Sequence, residues 1–210
     1  MGGKEYKIQG KAFSLVATCL LVFNVSASID KSIANHKEHF SKIALQIWDN
    51  AELGYQEIGS SKLLSDALEK EGFKINKSVA GIPTAFIAEF GSKGPVIAIL
   101  GEFDALPGLA QSTSPFKEVI NNSTGAGHAC GHHLFGAASA WAAVTIKEWL
   151  VENNIEGRIR FYGTPAEEGG SGKVYIARDG LFKDVDIVLH WHPDQVNSAN
   201  SKTSNSNKSG

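Results

Sequence analysis

The chain has 210 residues, 42% of them hydrophobic and 20% charged, which is the composition of a globular domain long enough to bury a real core. Lys+Arg 20 against Asp+Glu 22 give a formal net charge of −2, so the electrostatic footprint of a nucleic-acid binder or of a protein held on an anionic membrane is excluded. Disordered and collagen-like classes are excluded by the same numbers.

At the N-terminus Lys4, Lys7 and Lys11 precede an uncharged apolar run from Ala12 to Val25, and Val25-Ser26-Ala27 offers a small-residue cleavage pattern. Residues 1–28 are therefore expected to be an export signal, and the mature protein to be periplasmic or extracellular; a buried N-terminal helix is the alternative. The run is shorter than the ~20 apolar residues a membrane span needs, and no later segment is long enough, so no membrane association is expected after cleavage. Cys19 follows Thr18, a poor residue before a lipid-anchored cysteine. Cys130 then remains as the lone thiol of the mature chain, unable to form an internal disulfide and in need of an occupant such as a metal in an oxidising compartment.

Apolar residues at Ile33, Phe40, Ile43, Ala44, Ile47 and Trp48 predict a helix over Asp30–Glu52, and a second helical pattern runs from Ser60 to Glu71. Strands are predicted at Phe73–Val79, Thr84–Phe90 and Val96–Leu100, the last so apolar that it reads as a central strand covered on both faces. A small-residue helix from about His133 to Val151, a strand at Arg158–Tyr162, a helix through Lys173–Arg178 and a strand at Asp186–His190 complete a layered α/β domain over residues 29–196. The stretch Asn197–Gly210 is almost without apolar residues and reads as a polar tail.

The unusual residues gather at predicted strand ends, where open α/β sheets build their sites. The strongest feature is Gly127-His128-Ala129-Cys130-Gly131-His132-His133, which packs imidazoles and a thiol into a glycine-flanked turn. Thiolate and imidazole are preferred ligands of zinc and related metals. A lone His is more often a satisfied polar residue, but a Cys-x-His pair in this setting favours metal. In Gly163-Thr164-Pro165-Ala166-Glu167-Glu168-Gly169-Gly170 two adjacent carboxylates point to opposite faces if the backbone is extended, a split that suits one ligand and one general base. A solvated acidic turn is the bland reading of that pair. A phosphate-binding loop and a nucleophile elbow are both excluded around Lys173 and Ser171 by missing glycines. In Leu189-His190-Trp191-His192-Pro193 either histidine could ligate, and His192 could equally orient a ligand or lie on the surface. Gly101-Glu102-Phe103-Asp104-Ala105-Leu106-Pro107 carries two carboxylates on one face, or else a surface acidic loop.

Taken together, these four motifs over about Asp30 to Ser198 closely resemble the di-metal peptidase and aminoacylase superfamily, specifically its amidohydrolase branch of aminobenzoyl-glutamate hydrolase and indole-acetyl amino acid hydrolase type. The resemblance implies a three-layer αβα catalytic domain with a mostly parallel central sheet, holding two divalent ions, manganese or zinc. It implies Cys130 as the bridging ligand, with His132, Glu168 and His190 as further metal ligands. Glu167 would be the general base, and Asp104 would orient a ligand. His133 stands where many relatives have Asp, and its role is open.

The expected reaction is hydrolysis of the amide bond of an N-acyl amino acid. The alternatives are a dipeptide-cleaving metallo-exopeptidase and a non-catalytic remnant. Family members continue into a lid and dimerisation domain through which the full-length form would be a homodimer, and then supply a last histidine ligand. This chain reads as an N-terminal fragment, incomplete at the C-terminus of the catalytic domain and inactive as it stands.

Overall fold

The computed structural model describes residues 11–121 and 123–196, with side chains from residue 27 onward. Most of the expected leader's side chains, Lys4 and Lys7 among them, and the tail 197–210 lie outside the described residues.

The order is α1 (Lys11–Asn50), α2 (Ile58–Lys70), β1 (Lys74–Lys77), a 3-10 turn at Val79–Gly81, β2 (Phe86–Phe90), β3 (Val96–Gly101), β4 (Leu106–Pro107), β5 (Ala126–Gly127), α3 (His132–Glu152), β6 (Arg158–Gly163), the helical turn α4 (Glu167–Gly170), α5 (Gly172–Arg178) and β7 (Ile187–Leu189). Helix α1 extends well before the expected start at Asp30, because the apolar run ahead of it is also helical. Strand β1 is shorter than expected: Phe73 turns into the core before it, and Ser78 and Ala80 take left-handed backbone just after it.

The main sheet has the order β1-β2-β6-β3-β7. β3 pairs parallel with β6 and β7, whereas β2 runs antiparallel to both β1 and β6, so four strands share one direction and β2 opposes them. The apolar β3 is an interior strand between β6 and β7, covered on both faces as its composition requires, while β6 takes the middle position. Alternation along the strands splits the core into two layers. Phe86, Ala88, Ile99, Ile159 and Phe161 pack under α1, α2 and α3, where Phe40, Ile47, Leu64, Leu68 and Val144 meet them. Ile87, Ala98, Leu100 and Tyr162 point to the opposite face and are covered by Val79, Ile82 and by Ile176 of α5. Together they form the three-layer αβα arrangement.

Arg160 ties the second face together, donating to both carboxylate oxygens of Asp184 at 2.7 and 2.9 Å and pairing with Glu89. At the outer edge β7 is thinly covered, with Ile187, Val188 and Leu189 each about half exposed. No helix among the described residues is long and apolar enough to cross a membrane.

Candidate metal centre

The carboxyl ends of β3, β6 and β7 meet the N-terminus of α3, and this junction gathers the motifs. Thr164 locks two of those ends together: its amide and its hydroxyl both donate to Gly101 O, at 2.9 and 3.1 Å. Beyond β3 the chain buries Glu102, Phe103 and Asp104 completely or nearly so, which rules out a surface acidic loop. Buried carboxylates need partners.

Asp104 has two. One oxygen lies 2.8 Å from His132 Nδ1, and the other accepts the Glu168 amide at 2.8 Å. This single carboxylate therefore fixes both the tautomer of His132, which presents Nε2 outward, and the backbone of the Glu167–Glu168 turn. His132 can begin α3 because Gly131 before it has left-handed backbone (φ 79°), which favours glycine.

Around His132 Nε2 stand Glu102 Oε2 at 3.0 Å, His192 Nε2 at 3.4 Å and Glu168 Oε1 at 3.8 Å. Cys130 Sγ lies 3.4 Å from His192 Nε2. Ligand atoms of Cys130, His132 and His192 fall within 4.8 Å of one another, as do those of Glu102, His132 and Glu167. Glu167 is exposed and Glu168 half-buried, the division that a base reaching substrate and a ligand would show.

Of the residues singled out by resemblance, Cys130, His132, Glu167, Glu168 and Asp104 are brought together. His190 stands to one side, its Nε2 3.4 Å from Glu102 Oε1, and its ring packs against Phe135. His192, for which spacing left several roles open, faces the thiol and His132. Two participants had no assigned role: Glu102, and Lys173, whose ammonium pairs with Glu102. His128 and His133 turn away toward Trp48, and burial pushes both imidazoles down to about 4, so both are neutral.

The chemistry of this set fits a divalent cation. Burial alone would lower the His132 imidazole, but its bonds to Asp104 and Glu102 raise it to about 10. Burial, reinforced by Glu168, Glu167 and Glu102, pushes the Cys130 thiol up to about 12. Burial would raise the Glu102 carboxyl, yet the neighbouring His132, His190 and Lys173 hold it well below the usual carboxylate range. Carboxylates crowded enough to keep protons on an imidazole and a thiol also attract a metal ion in their place. Glu168 Oε1 is buried without a hydrogen-bond partner, 3.8 Å from His132 Nε2, and Glu102 Oε2 faces the same nitrogen at 3.0 Å. Carboxylate oxygens converging on one imidazole nitrogen are an arrangement that a cation would satisfy.

The sequence profile of peptidase family M20/M25/M40 matches residues 98–205, the stretch that carries all four motifs. The chain belongs to this family. Among curated relatives it is 46% identical over 166 residues to a p-aminobenzoyl-glutamate hydrolase component of Escherichia coli, covering 79% of this chain and 34% of the relative. It is 32% identical to hippurate hydrolase of Campylobacter jejuni over 73% of this chain and 39% of that one. Among solved structures, a Bacillus subtilis dinuclear metal-binding peptidase of the M20 family superposes with a TM-score of 0.64 at 28% identity, over 75% of this chain and 43% of that one. The chain thus spans somewhat over a third of the length of the curated relatives it matches.

Proposed function

We propose that this chain is the metal-binding part of an exported, metal-dependent amidohydrolase that holds two divalent ions, manganese or zinc, and cleaves the amide bond of N-acyl amino acids of the aminobenzoyl-glutamate type. The observation that carries the reading is the buried Asp104, which aligns His132 and Glu168 beside Cys130 and leaves the exposed Glu167 next to them. Similarity to the aminobenzoyl-glutamate and hippurate hydrolases supports the substrate class, since both names describe an acylated amino acid.

Cys130, His132 and Glu168, with a histidine of the His190–His192 pair, would hold the ions, and by the family resemblance Cys130 would be the shared ligand. When bound, divalent ions supply Lewis acidity and make water acidic enough to ionise near neutral pH. Glu167 takes the proton of the attacking water and returns it to the leaving amine, a role its exposure and its distance from His132 allow. Asp104 keeps His132 in one orientation throughout. A dipeptide is itself an N-acylated amino acid, and the solved relative described as a peptidase keeps that class within the proposal. Dimerisation of a family-length form through its lid also belongs to the proposal, and size-exclusion chromatography tests it.

The direct experiment incubates the purified protein with manganese or zinc and follows release of free amino acid from p-aminobenzoyl-glutamate, other N-acyl amino acids and dipeptides, beside a version extended to family length. Chelator-sensitive hydrolysis, fastest on acylated amino acids, is expected of the extended version. The short chain is expected to run more than tenfold slower, because by the family resemblance the extended version adds the lid over the substrate and the last histidine ligand. Metal-loaded extended protein that hydrolyses none of them would leave a non-catalytic scaffold.

Replacing Cys130 by Ser exchanges a soft, ionisable ligand for a neutral hydroxyl and should strip metal from the centre. Elemental analysis after dialysis measures this. Unchanged metal content in Cys130→Ser reduces the thiol to a packing role.

A further inference from the structure

The connector between α1 and α2, residues 51–57, lies beneath both acidic loops and touches each. Ala105, next to Asp104, donates its amide to Glu52 O at 2.8 Å and forms a β-bridge with Leu53. On the other side the Tyr55 hydroxyl donates to Gly170 O, behind the Glu167–Glu168 turn. Between them sits Glu57, 0% exposed, whose Oε1 accepts the Ala166 amide at 2.8 Å while Oε2 accepts the Thr84 hydroxyl at 2.9 Å. Ala166 itself is buried in left-handed backbone (φ 56°), which L-residues seldom adopt.

We propose that Glu57 is a positioning residue of the metal centre, whose carboxylate holds Ala166 in the left-handed turn that aims Glu167 and Glu168 at His132. The proposal rests on the metal-centre reading above. Two carboxylates grip the turn: Asp104 accepts the Glu168 amide and Glu57 accepts the Ala166 amide, so alternate amides of one turn are held by buried carboxylates from two different segments. Adjacent carboxylates can take separate roles only while the backbone that separates them is fixed. Thr84 in turn fixes Glu57, which links the aim of the turn to the segment before β2.

Glu52 supplies the control. Its carboxylate accepts the Gly59 and Ser60 amides, both at 2.8 Å, and the Ser60 hydroxyl at 2.7 Å, which caps α2 without touching the acidic turn. A purely structural role for connector carboxylates predicts that Glu52 and Glu57 behave alike.

The test titrates manganese or zinc into the 210-residue chain under reducing conditions by calorimetry, and records thermal unfolding of each variant. Glu57→Met, similar in length but without an acceptor, should weaken metal binding ~10–100-fold, the usual effect of losing a group that orients ligands. Glu57→Gln should restore it, because the amide oxygen still accepts from Ala166 and the NH₂ can donate to the Thr84 hydroxyl. Glu52→Met should lower Tm and leave metal affinity as in wild type. If Glu57→Met does not fold, Thr84→Val loosens the same carboxylate, and weaker binding by that variant is expected. Wild-type affinity in a folded Glu57→Met or Thr84→Val chain, or an equal loss in Glu52→Met, overturns the proposal. A wild-type chain that binds neither ion overturns the metal-centre reading first, and the role of Glu57 with it.

Discussion

Glu167→Gln, made in the protein extended to family length, should lose at least ~10²–10⁴-fold in turnover and keep its metal. Gln fills the same space at this exposed position but cannot accept and return a proton, so the loss falls on kcat. Glu168→Gln should behave differently. Its carboxylate is half-buried, with one buried oxygen that has no hydrogen-bond partner and lies 3.8 Å from His132 Nε2. Neutralising it removes a charged ligand, and metal content should fall together with activity. Elemental analysis and steady-state kinetics on the two variants separate these outcomes. Retained metal and retained turnover in both would return the Glu-Glu pair to a solvated acidic turn.

Phe161→Ala should destabilise the fold by about 3–5 kcal/mol, a large share of the roughly 5–15 kcal/mol that holds a domain of this size together. Phe161 sits fully buried at the centre of the sheet, with its ring 5.6 Å from that of Phe86. The ring also fills the space above Gly101, where an added Cβ would come within 2.6 Å of it. Helices α1 to α3 close over this layer, so the void cannot collapse easily. Urea unfolding followed by circular dichroism measures the effect. A loss under about 1 kcal/mol would mean that the helices relax onto the smaller side chain.

Much of this architecture was legible because hydrophobic period and strand-end placement agree. The apolar run 96–100 demanded an interior strand covered on both faces, and the small-residue pattern from His133 demanded a long helix against the sheet. Both exist, with α3 starting one residue early because left-handed Gly131 delivers His132 into its first turn. The β4–β5 pair was not legible: each strand has two residues, and a long loop separates them. At the site, residue types pointed to candidate ligands, but spacing could not say that Glu102 and Asp104 are buried. Nor could it say which of His190 and His192 faces the thiol, because alternate residues of an extended segment share a face. Nothing in residue type or spacing singled out Glu52 and Glu57. Their capping and turn-holding roles depend on partners as far away in sequence as Ala166. A faint signal existed in Glu52, whose carboxylate precedes a helix that offers no Ser, Thr, Asp or Asn at its N-cap.

The outer edge of β7 has a bearing on the solution behaviour of this protein. Among the described strands β7 pairs with β3 alone, and Ile187, Val188 and Leu189 along it are half-exposed. Such an edge is a template on which another strand can add. His190 and His192 follow directly after it, and Trp191 between them is fastened to Ser139 of α3 by a 2.9 Å hydrogen bond. A strand docked on β7 would therefore stiffen the segment that carries both histidines, and self-association and metal affinity should rise and fall together.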